Sequence, residues 1–596
     1  MEVREHREEL LRRIPTLRIL FLTALLGVAS AYWFVQVVRG DYYRELAENN
    51  RLRRIPVKPP RGLILDREGR LLADNAPSYN LMIDRTRVVN SEASLRFAAG
   101  ALDQPVDELR RRLASQRGVS EFTPVLLADS LSLSQVARLA AANLEHPEFE
   151  IDVGHLRLYR HGGTTAHVLG YLGEVNEREL REPESPYRAG DVVGRRGIER
   201  TYDGELRGSK GERQVVVDSR GRAREEFGAR QARPGSDLRL TLDLELQQIA
   251  SRYFEDKVGA AVVMDPRTGA ILAMVSAPSY NPNQFARRLE RAQWQAILED
   301  PGHPLQNRAV QNTFSPGSIF KIVMAVAGLT EHVVTSSDRV YCGGSARFYD
   351  RRFRCWKPAG HGWVDLHQAI KESCDVYFYT LGQKLGISRI ADYSRQFGLG
   401  SVTGIDLGEE EKAGLVPDPE WSQRARGGPW YPGETISVAI GQGPLLVTPL
   451  QMAVMVSTIA NDGYLVTPHL DAADASRAPP QLAGLDPAAL ALVREALRAV
   501  VNDRGTGASA RVEGMEIAGK TGTAQVVEQK TWIDSKDLPY AQRDHAWFVS
   551  FGPVNDPELA VVVFVQNGGK GSAVAAPLAQ RIYEKYWNDR GNRQPA

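Results

Sequence analysis

Ser318 with Lys321, Ser373 with Asp375, and the run Lys520-Thr521-Gly522-Thr523 are the residues whose types and spacing fit acyl transfer through a serine ester. In Ser318-Ile319-Phe320-Lys321 an amine follows a hydroxyl by three residues, a spacing that puts both on one face of a helix. A serine hydroxyl attacks a carbonyl only when a base takes its proton. A lysine beside an apolar run and a second cation gives up its own proton more readily, so Lys321 suits that task. A serine at a helix start is also an ordinary cap, and Ser373-Cys374-Asp375 reads equally as a solvated helix start. On the catalytic reading Ser373 relays a proton between Lys321 and a leaving amine, and Asp375 orients the group. Lys520 with the Thr521 and Thr523 hydroxyls suits a terminal carboxylate, and Gly522 admits close approach of a substrate backbone. The backbone N–H groups of Ser318 and Thr523 are the natural oxyanion hole.

These motifs need a rigid frame, and the pattern around them predicts one. Gly259 to Asp265 is a continuous apolar run, Pro266 to Gly269 a turn, and Ala270 to Val275 a returning run, which reads as a hairpin. Further strands fit Met515 to Val527, Ala546 to Phe551 and Leu559 to Gln566, with a closing helix from Pro577 to Tyr586. A hairpin at one end, strands at the other and helices between predict a central antiparallel sheet flanked by helices, an α+β fold. Upstream, Ile64/Leu65, the turn Asp66 to Gly69 and Leu71/Leu72 read as strand, turn and strand. The spacing becomes helical from 93 to 145, and short strands with glycine turns return from about 150 to 240. That first half offers no nucleophile–base pair, so it is expected to be a non-catalytic pedestal that binds partners.

At 596 residues the chain is expected to hold several domains. Its net charge of +1 argues against a nucleic-acid footprint. Ile19 to Val38 is an uncharged run of 20 residues, long enough to cross a bilayer, with Arg12, Arg13 and Arg18 before it. Ala29-Ser30-Ala31 also resembles a signal-peptide cleavage site, but the apolar run continues beyond it. The expected organisation is a cytoplasmic tail (1–18), a transmembrane helix (19–38), a pedestal (39–237), a catalytic domain (238–590) and a C-terminal tail (591–596).

All three cysteines fall between residues 342 and 374. Cys342, Cys355, His361 and Cys374 follow the spacing C-x12-C-x5-H-x12-C. Three thiolates and an imidazole suit a closed tetrahedral zinc site, with Asp365 and His367 as further candidate ligands. A Cys342–Cys355 disulfide, or three unlinked thiols, are the alternatives. The clustering, the odd count and the place of Cys374 between Ser373 and Asp375 favour a structural zinc that fixes the second motif.

With these residues in view, the chain resembles the class B penicillin-binding proteins, and among them the penicillin-binding protein 2 type of the cell-elongation machinery. Ser-x-x-Lys, Ser-x-Asp and Lys-Thr-Gly in this order are a signature set. The resemblance extends to Arg61-Gly62…Asp66-Arg67…Gly69, to Gly194-Arg195-Arg196-Gly197-Ile198-Glu199, to Gly441-Gln442-Gly443…Thr448-Pro449-Leu450-Gln451, and to His545-Ala546-Trp547-Phe548. Ser-Cys-Asp in place of Ser-x-Asn favours the elongation branch over division-type relatives. The resemblance implies a D,D-transpeptidase, with carboxypeptidase side activity, that cross-links peptidoglycan stem peptides ending in D-Ala-D-Ala and is acylated by β-lactams. It needs no cofactor for catalysis. It implies anchoring in the bacterial inner membrane with the catalytic domain in the periplasm. Its implied partners are a RodA-type SEDS glycosyltransferase and other elongation-complex proteins, with glycan derived from lipid II. Against a β-lactamase stand the anchor and the long first half. A non-catalytic β-lactam sensor would carry several membrane helices, and a scaffold role is compatible with catalysis.

Overall fold

The computed structural model describes residues 2–43, 52–115, 124–188, 190–217, 223–287, 289, 291–473, 479–527, 533 and 535–593. They divide into two compact units that are discontinuous along the chain. One comprises Met1–Pro60, Ser78–Gly154 and Gly208–Pro234, the other Arg61–Pro77, His155–Arg207 and Gly235–Ala596.

In the first unit a helix, Glu2–Trp33, runs on as a π-helical turn, Phe34–Val38. Its stretch Ile14–Val38 is long and apolar enough to cross a membrane, alone in this among the described residues. Strands Leu52–Val57, Gly211–Val217 and Ala223–Arg230 form a three-stranded antiparallel sheet. The region read as helical from 93 to 145 holds helices Ser91–Leu102, Val106–Ser115 and Leu133–Ala141, but also the strand Val125–Ala128. Four apolar residues in a row are too short to show a period, and pairing with Leu81–Ile83 decides the outcome. Leu81, Ile83, Leu95, Leu102, Leu109 and Leu127 close a small core between sheet and helices.

The second unit is built on a five-stranded antiparallel sheet. Its strands are β1 (Gly259–Met264), β2 (Ile271–Ala277), β3 (Ala518–Ala524), β4 (His545–Gly552) and β5 (Leu559–Val565), in the order β2-β1-β5-β4-β3. Both faces are covered, so β1 and β5 are apolar without alternation. One face packs against α1 (Lys321–Thr330), α4 (Pro449–Ala460) and α5 (Pro487–Asn502). The other packs against α6 (Ala576–Arg593). Between α1 and α4 come α2 (Leu366–Lys371) and α3 (Asp375–Leu385), joined by a tight turn. β3 lies at the sheet edge, with one side paired to β4 and the other open to the helices.

Arg61 and Glu199, from two of the quoted motifs, meet in the same unit. Glu199 is fully buried between Arg61 (2.6 Å) and Arg157 (2.7 Å), and Arg61 also reaches Asp203 at 2.8 Å. A buried charge held this way is costly to expose by removing one partner, which makes these residues a structural clamp.

Candidate active site

Ser318 lies in a 3-10 turn, Gly317–Phe320, that feeds directly into α1. It is partly exposed, while Ile319, Phe320 and Lys321 behind it are buried. Gly317 has φ +57°, and a Cβ there would lie 2.6 Å from the Thr523 carbonyl oxygen. A Cβ on Gly522 would meet the Pro316 carbonyl oxygen at 3.1 Å and Ile319 Cγ2 at 3.3 Å. The two glycines therefore let the serine turn lie flat against β3. The N–H and C=O of one strand residue point to the same edge. Since the Thr523 carbonyl faces Gln442 Nε2 at 3.5 Å, away from β4, its N–H also faces the open edge beside Ser318.

The second motif sits under this turn. Ser373 joins α2 to α3 with φ +56°, a left-handed conformation that costs energy in a non-glycine residue. Lys321, wholly buried, donates to the Ser373 carbonyl (2.9 Å), to Ser373 Oγ (3.1 Å) and to Asp375 Oδ1 (2.6 Å). The sequence reading has this amine reaching the Ser318 hydroxyl. In the structure its three N–H donors are all engaged by Ser373 and Asp375. The other Asp375 oxygen accepts the Trp356 backbone N–H at 2.8 Å. Burial raises the Asp375 carboxyl above its usual range, and the Lys321 charge opposes that rise.

Lys520 is also wholly buried and donates to the Thr521 carbonyl at 3.1 Å. Burial, and then the Lys321 charge, push its amine well below the usual lysine range. Thr521 Oγ1 donates to Thr506 Oγ1 at 2.8 Å. Ser318, Lys321, Ser373, Asp375, Lys520, Thr521, Gly522 and Thr523 are thus brought together by α1, the α2–α3 turn and β3. Trp356, Gln442 and Thr506 join them without having been picked from sequence. Trp356 acts through its backbone, which no residue type announces. Gln442 was visible only as part of a glycine-flanked motif.

The cysteine cluster adjoins this site. One ligand atom from each of Cys342, Cys355, His361 and Cys374 lies within 4.8 Å of every other. The three cysteines are free thiols, with no disulfide between Cys342 and Cys355. Both Cys342 Sγ and Cys355 Sγ lie 3.5 Å from His361 Nδ1. A hydrogen bond from Cys374 drives Cys355 toward the thiolate, and the same bond with burial pushes the Cys374 thiol up. Asp365 instead caps α2 through the Gln368 N–H, and His367 is exposed.

His545 opens β4 opposite Ala524, and its Nδ1 accepts the Asn567 N–H at 3.0 Å, which fixes it as neutral. Burial pushes its pKa down to about 4, from an ordinary 6.5. The unfolded chain then binds the extra proton between those values, so stability falls as pH falls from 6.5 to 4. At about 1.4 kcal/mol per tenfold change in proton affinity, the loss is about 3 kcal/mol. Urea midpoints followed from pH 7 to pH 4.5 should drop less in His545→Gln than in the parent. Identical slopes would mean that His545 is not a source of the acid lability.

Two family models cover most of the chain: the penicillin binding protein transpeptidase domain over residues 259–584 and the penicillin-binding protein dimerisation domain over 56–240. The chain is 36% identical over 600 residues to peptidoglycan D,D-transpeptidase MrdA of Haemophilus influenzae, covering 97% of this chain and 91% of that protein. To the protein of the same name from Acinetobacter baumannii it is 36% identical over 585 residues, covering 95% and 86%. Among solved structures, the complex between penicillin-binding protein 2 and MreC from Helicobacter pylori is similar with a TM-score of 0.80 at 29% identity, over 90% of this chain and 99% of that one. A peptidoglycan synthase complex, solved to describe coordination of polymerisation and cross-linking, matches with a TM-score of 0.72 at 32% identity, over 97% and 98%. The chain belongs to the penicillin-binding proteins of the penicillin-binding protein 2 type, serine-type peptidoglycan D,D-transpeptidases of cell elongation.

Proposed function

We propose that Ser318 is the nucleophile of this transpeptidase. The carrying observation is the convergence of a partly exposed serine with a buried Lys321–Ser373–Asp375 contact and the open edge of β3. Ser318 Oγ attacks the penultimate D-Ala carbonyl of a donor stem peptide, and the oxyanion sits between the N–H groups of Ser318 and Thr523. The C–N bond breaks, and the proton lost by Ser318 reaches the leaving D-Ala amine through Lys321 and Ser373. An amine of the acceptor stem peptide then attacks the ester, and its proton returns to Ser318. With water as acceptor the same steps give carboxypeptidase activity. Asp375 holds Lys321 in place throughout. Lys520, whose hold on its proton is weakened by burial and by the Lys321 charge, holds it more firmly as the donor's terminal carboxylate arrives, with the Thr523 hydroxyl and, once turned from Thr506, the Thr521 hydroxyl completing the cradle. A β-lactam enters as a mimic of the donor and remains as an ester.

Cys342, Cys355, His361 and Cys374 fit a structural zinc. Zn–S bonds of about 2.3 Å and Zn–N bonds of about 2.0 Å give tetrahedral S···N edges of about 3.5 Å, the separation found here. His361 Nε2 is buried without a hydrogen bond and lies 3.8 Å from Glu372 Oε2, an outer carboxylate of the kind that orients metal-bound imidazoles. Bound there, zinc would tie the 342–361 loop to the second motif and supply no chemistry to the reaction.

Anchored by residues 19–38, with 1–18 in the cytoplasm, the catalytic domain (238–590) works in the periplasm and 39–237 is the pedestal, of which 61–77 and 155–207 fold into the same compact unit as the catalytic sheet. Likeness to a relative solved with MreC and to a peptidoglycan synthase complex supports docking to elongation-complex proteins, a RodA-type SEDS glycosyltransferase among them. The deciding experiment follows intact mass of the full chain with a β-lactam, beside Ser318→Ala. The parent should gain a long-lived adduct on Ser318. Ser318→Ala should gain none and lose cross-linking, yet still stimulate glycan polymerisation by the partner. An adduct in Ser318→Ala would rule out this nucleophile, and rapid drug turnover would make the protein a β-lactamase.

A further inference from the structure

Between Ser345 and Lys357 the chain carries five cations and one carboxylate, although its net charge over all residues is only +1. Strands Ser345–Phe348 and Arg351–Arg354 form a hairpin with Ser345 opposite Arg354, Ala346 opposite Phe353, Arg347 opposite Arg352 and Phe348 opposite Arg351. Residues paired directly and those two further along share a face. Arg347, Arg352 and Arg354 therefore lie on one face, and all three are exposed. The opposite face, shared by Arg351, carries Phe348 and Phe353, which pack on Tyr379 of α3 with ring centroids 5.9 and 5.4 Å away.

Like charges directly opposite each other destabilise a hairpin, so Arg347 facing Arg352 is a cost without an anion between them. The arginine face is also held firmly beside the catalytic groups. The Tyr379 hydroxyl donates to the Arg354 carbonyl at 3.1 Å, and the Trp356 N–H donates to Asp375. The neighbouring antiparallel pair Val340–Cys342 and Gly362–Val364 sets Tyr341 opposite Trp363, with centroids 5.5 Å apart. These rings are 60% and 66% exposed and Trp356 is 51% exposed. Water-facing aromatic rings of this size mark a binding surface more often than chance, and their π faces attract the polarised C–H faces of sugar rings.

We infer that this arginine-faced hairpin and its aromatic neighbours dock the peptidoglycan strand presented for cross-linking, the arginines pairing with stem-peptide carboxylates and Tyr341 and Trp363 stacking on its sugars. The occupant follows from complementarity: a polymer that is at once acidic and saccharide matches a surface that is at once cationic and aromatic, joined rigidly to the second motif. The inference rests on the proposed active site only for the identity of the polymer.

The test is equilibrium binding of fluorescently labelled, un-cross-linked glycan strands with pentapeptide stems to the full chain in detergent. R347Q/R352Q should weaken binding about tenfold or more and flatten its salt dependence. Strands with amidated carboxylates should bind the parent as weakly, and should no longer distinguish it from the variant. The rate of β-lactam acylation, which needs no docked strand, should be the same in both proteins. Unchanged strand affinity in R347Q/R352Q, or an equal loss on amidated strands, would overturn the inference and leave the face to another anion. Slower acylation in the variant would overturn it too, by making the arginines supports of the active site. Absence of any adduct on the parent would instead defeat the Ser318 reading, while the binding comparison would still decide the docking surface.

Discussion

Lys321→Met will slow β-lactam acylation of Ser318 by about 10²–10⁴-fold, the range for loss of a positioned proton-transfer group. It will also destabilise the catalytic unit, and the two effects have separate causes. Lys321 is wholly buried and gives all three of its N–H donors to Ser373 and Asp375. Methionine fills the space of the stem but leaves Asp375, also buried, with the Trp356 N–H as its one remaining hydrogen bond among the described residues. Breaking one side of a buried ion pair costs about 3–5 kcal/mol. Burial already raises the Asp375 carboxyl, and without Lys321 the carboxyl will rise further. Because that carboxyl is then favoured in its protonated form, Lys321→Met will recover stability as pH falls. Lys321→Met/Asp375→Asn removes the orphaned charge and should regain most of the stability at neutral pH, while acylation stays slow. Lys520 provides a further readout. Its amine is depressed partly by the Lys321 charge, so residual acylation in Lys321→Met should show a pH limb moved upward. Acylation within tenfold of the parent would remove Lys321 from the proton path. Failure of the double variant to regain stability would mean that the pair is not what holds the motif together.

The contrast between what was readable and what was not has a physical origin. Ser318 and Lys321 share a turn, so their spacing alone placed them together. The β1–β2 hairpin was legible because a turn of Pro266 to Gly269 separates two apolar runs, and it forms in that register. The strand pairs that bring β3 beside Ser318 are long-range, and only motif order hinted at them. The Lys321–Asp375 contact spans 54 residues and decides where the amine points, which helix spacing cannot express. Trp356 contributes a backbone N–H, and Gly522 is confined by Pro316 and Ile319 of the same chain. Neither leaves a trace in residue type. Arg61 pairs with Glu199 across 138 residues and so joins 61–77 to 155–207, while Ile64, Leu72, Val168 and Ile198 share one apolar core with the catalytic sheet. Such membership is set by long-range pairing and packing rather than by any change in composition along the chain.

The largest effect on stability should come from removing metal. Full-length protein purified without chelator is expected to carry one zinc per chain by elemental analysis. Stripping it should lower Tm by on the order of 10 °C, since structural zinc contributes about 10 kcal/mol or more of apparent binding free energy to a folded site. The reason lies in what the four ligands join. Cys342 ends one short strand, Cys355 and His361 flank the Trp356 loop, and Cys374 caps α3 immediately before Asp375. Without a central cation, Cys355 is driven toward a buried thiolate and His361 Nε2 stays buried without a hydrogen bond. The loop that delivers the Trp356 N–H to Asp375 then loses its tether. Acylation should slow about 10–100-fold, the usual effect of disturbing an outer support of a site. Cys342→Ser, which leaves every residue of the three catalytic motifs in place, should lose zinc and reproduce both changes. Protein that contains no zinc as purified, or whose Tm and acylation rate are unmoved by chelation, would refute the site. So would a mass spectrum that finds Cys342 and Cys355 joined in the active protein, because a disulfide would hold the same loop with no cation at all.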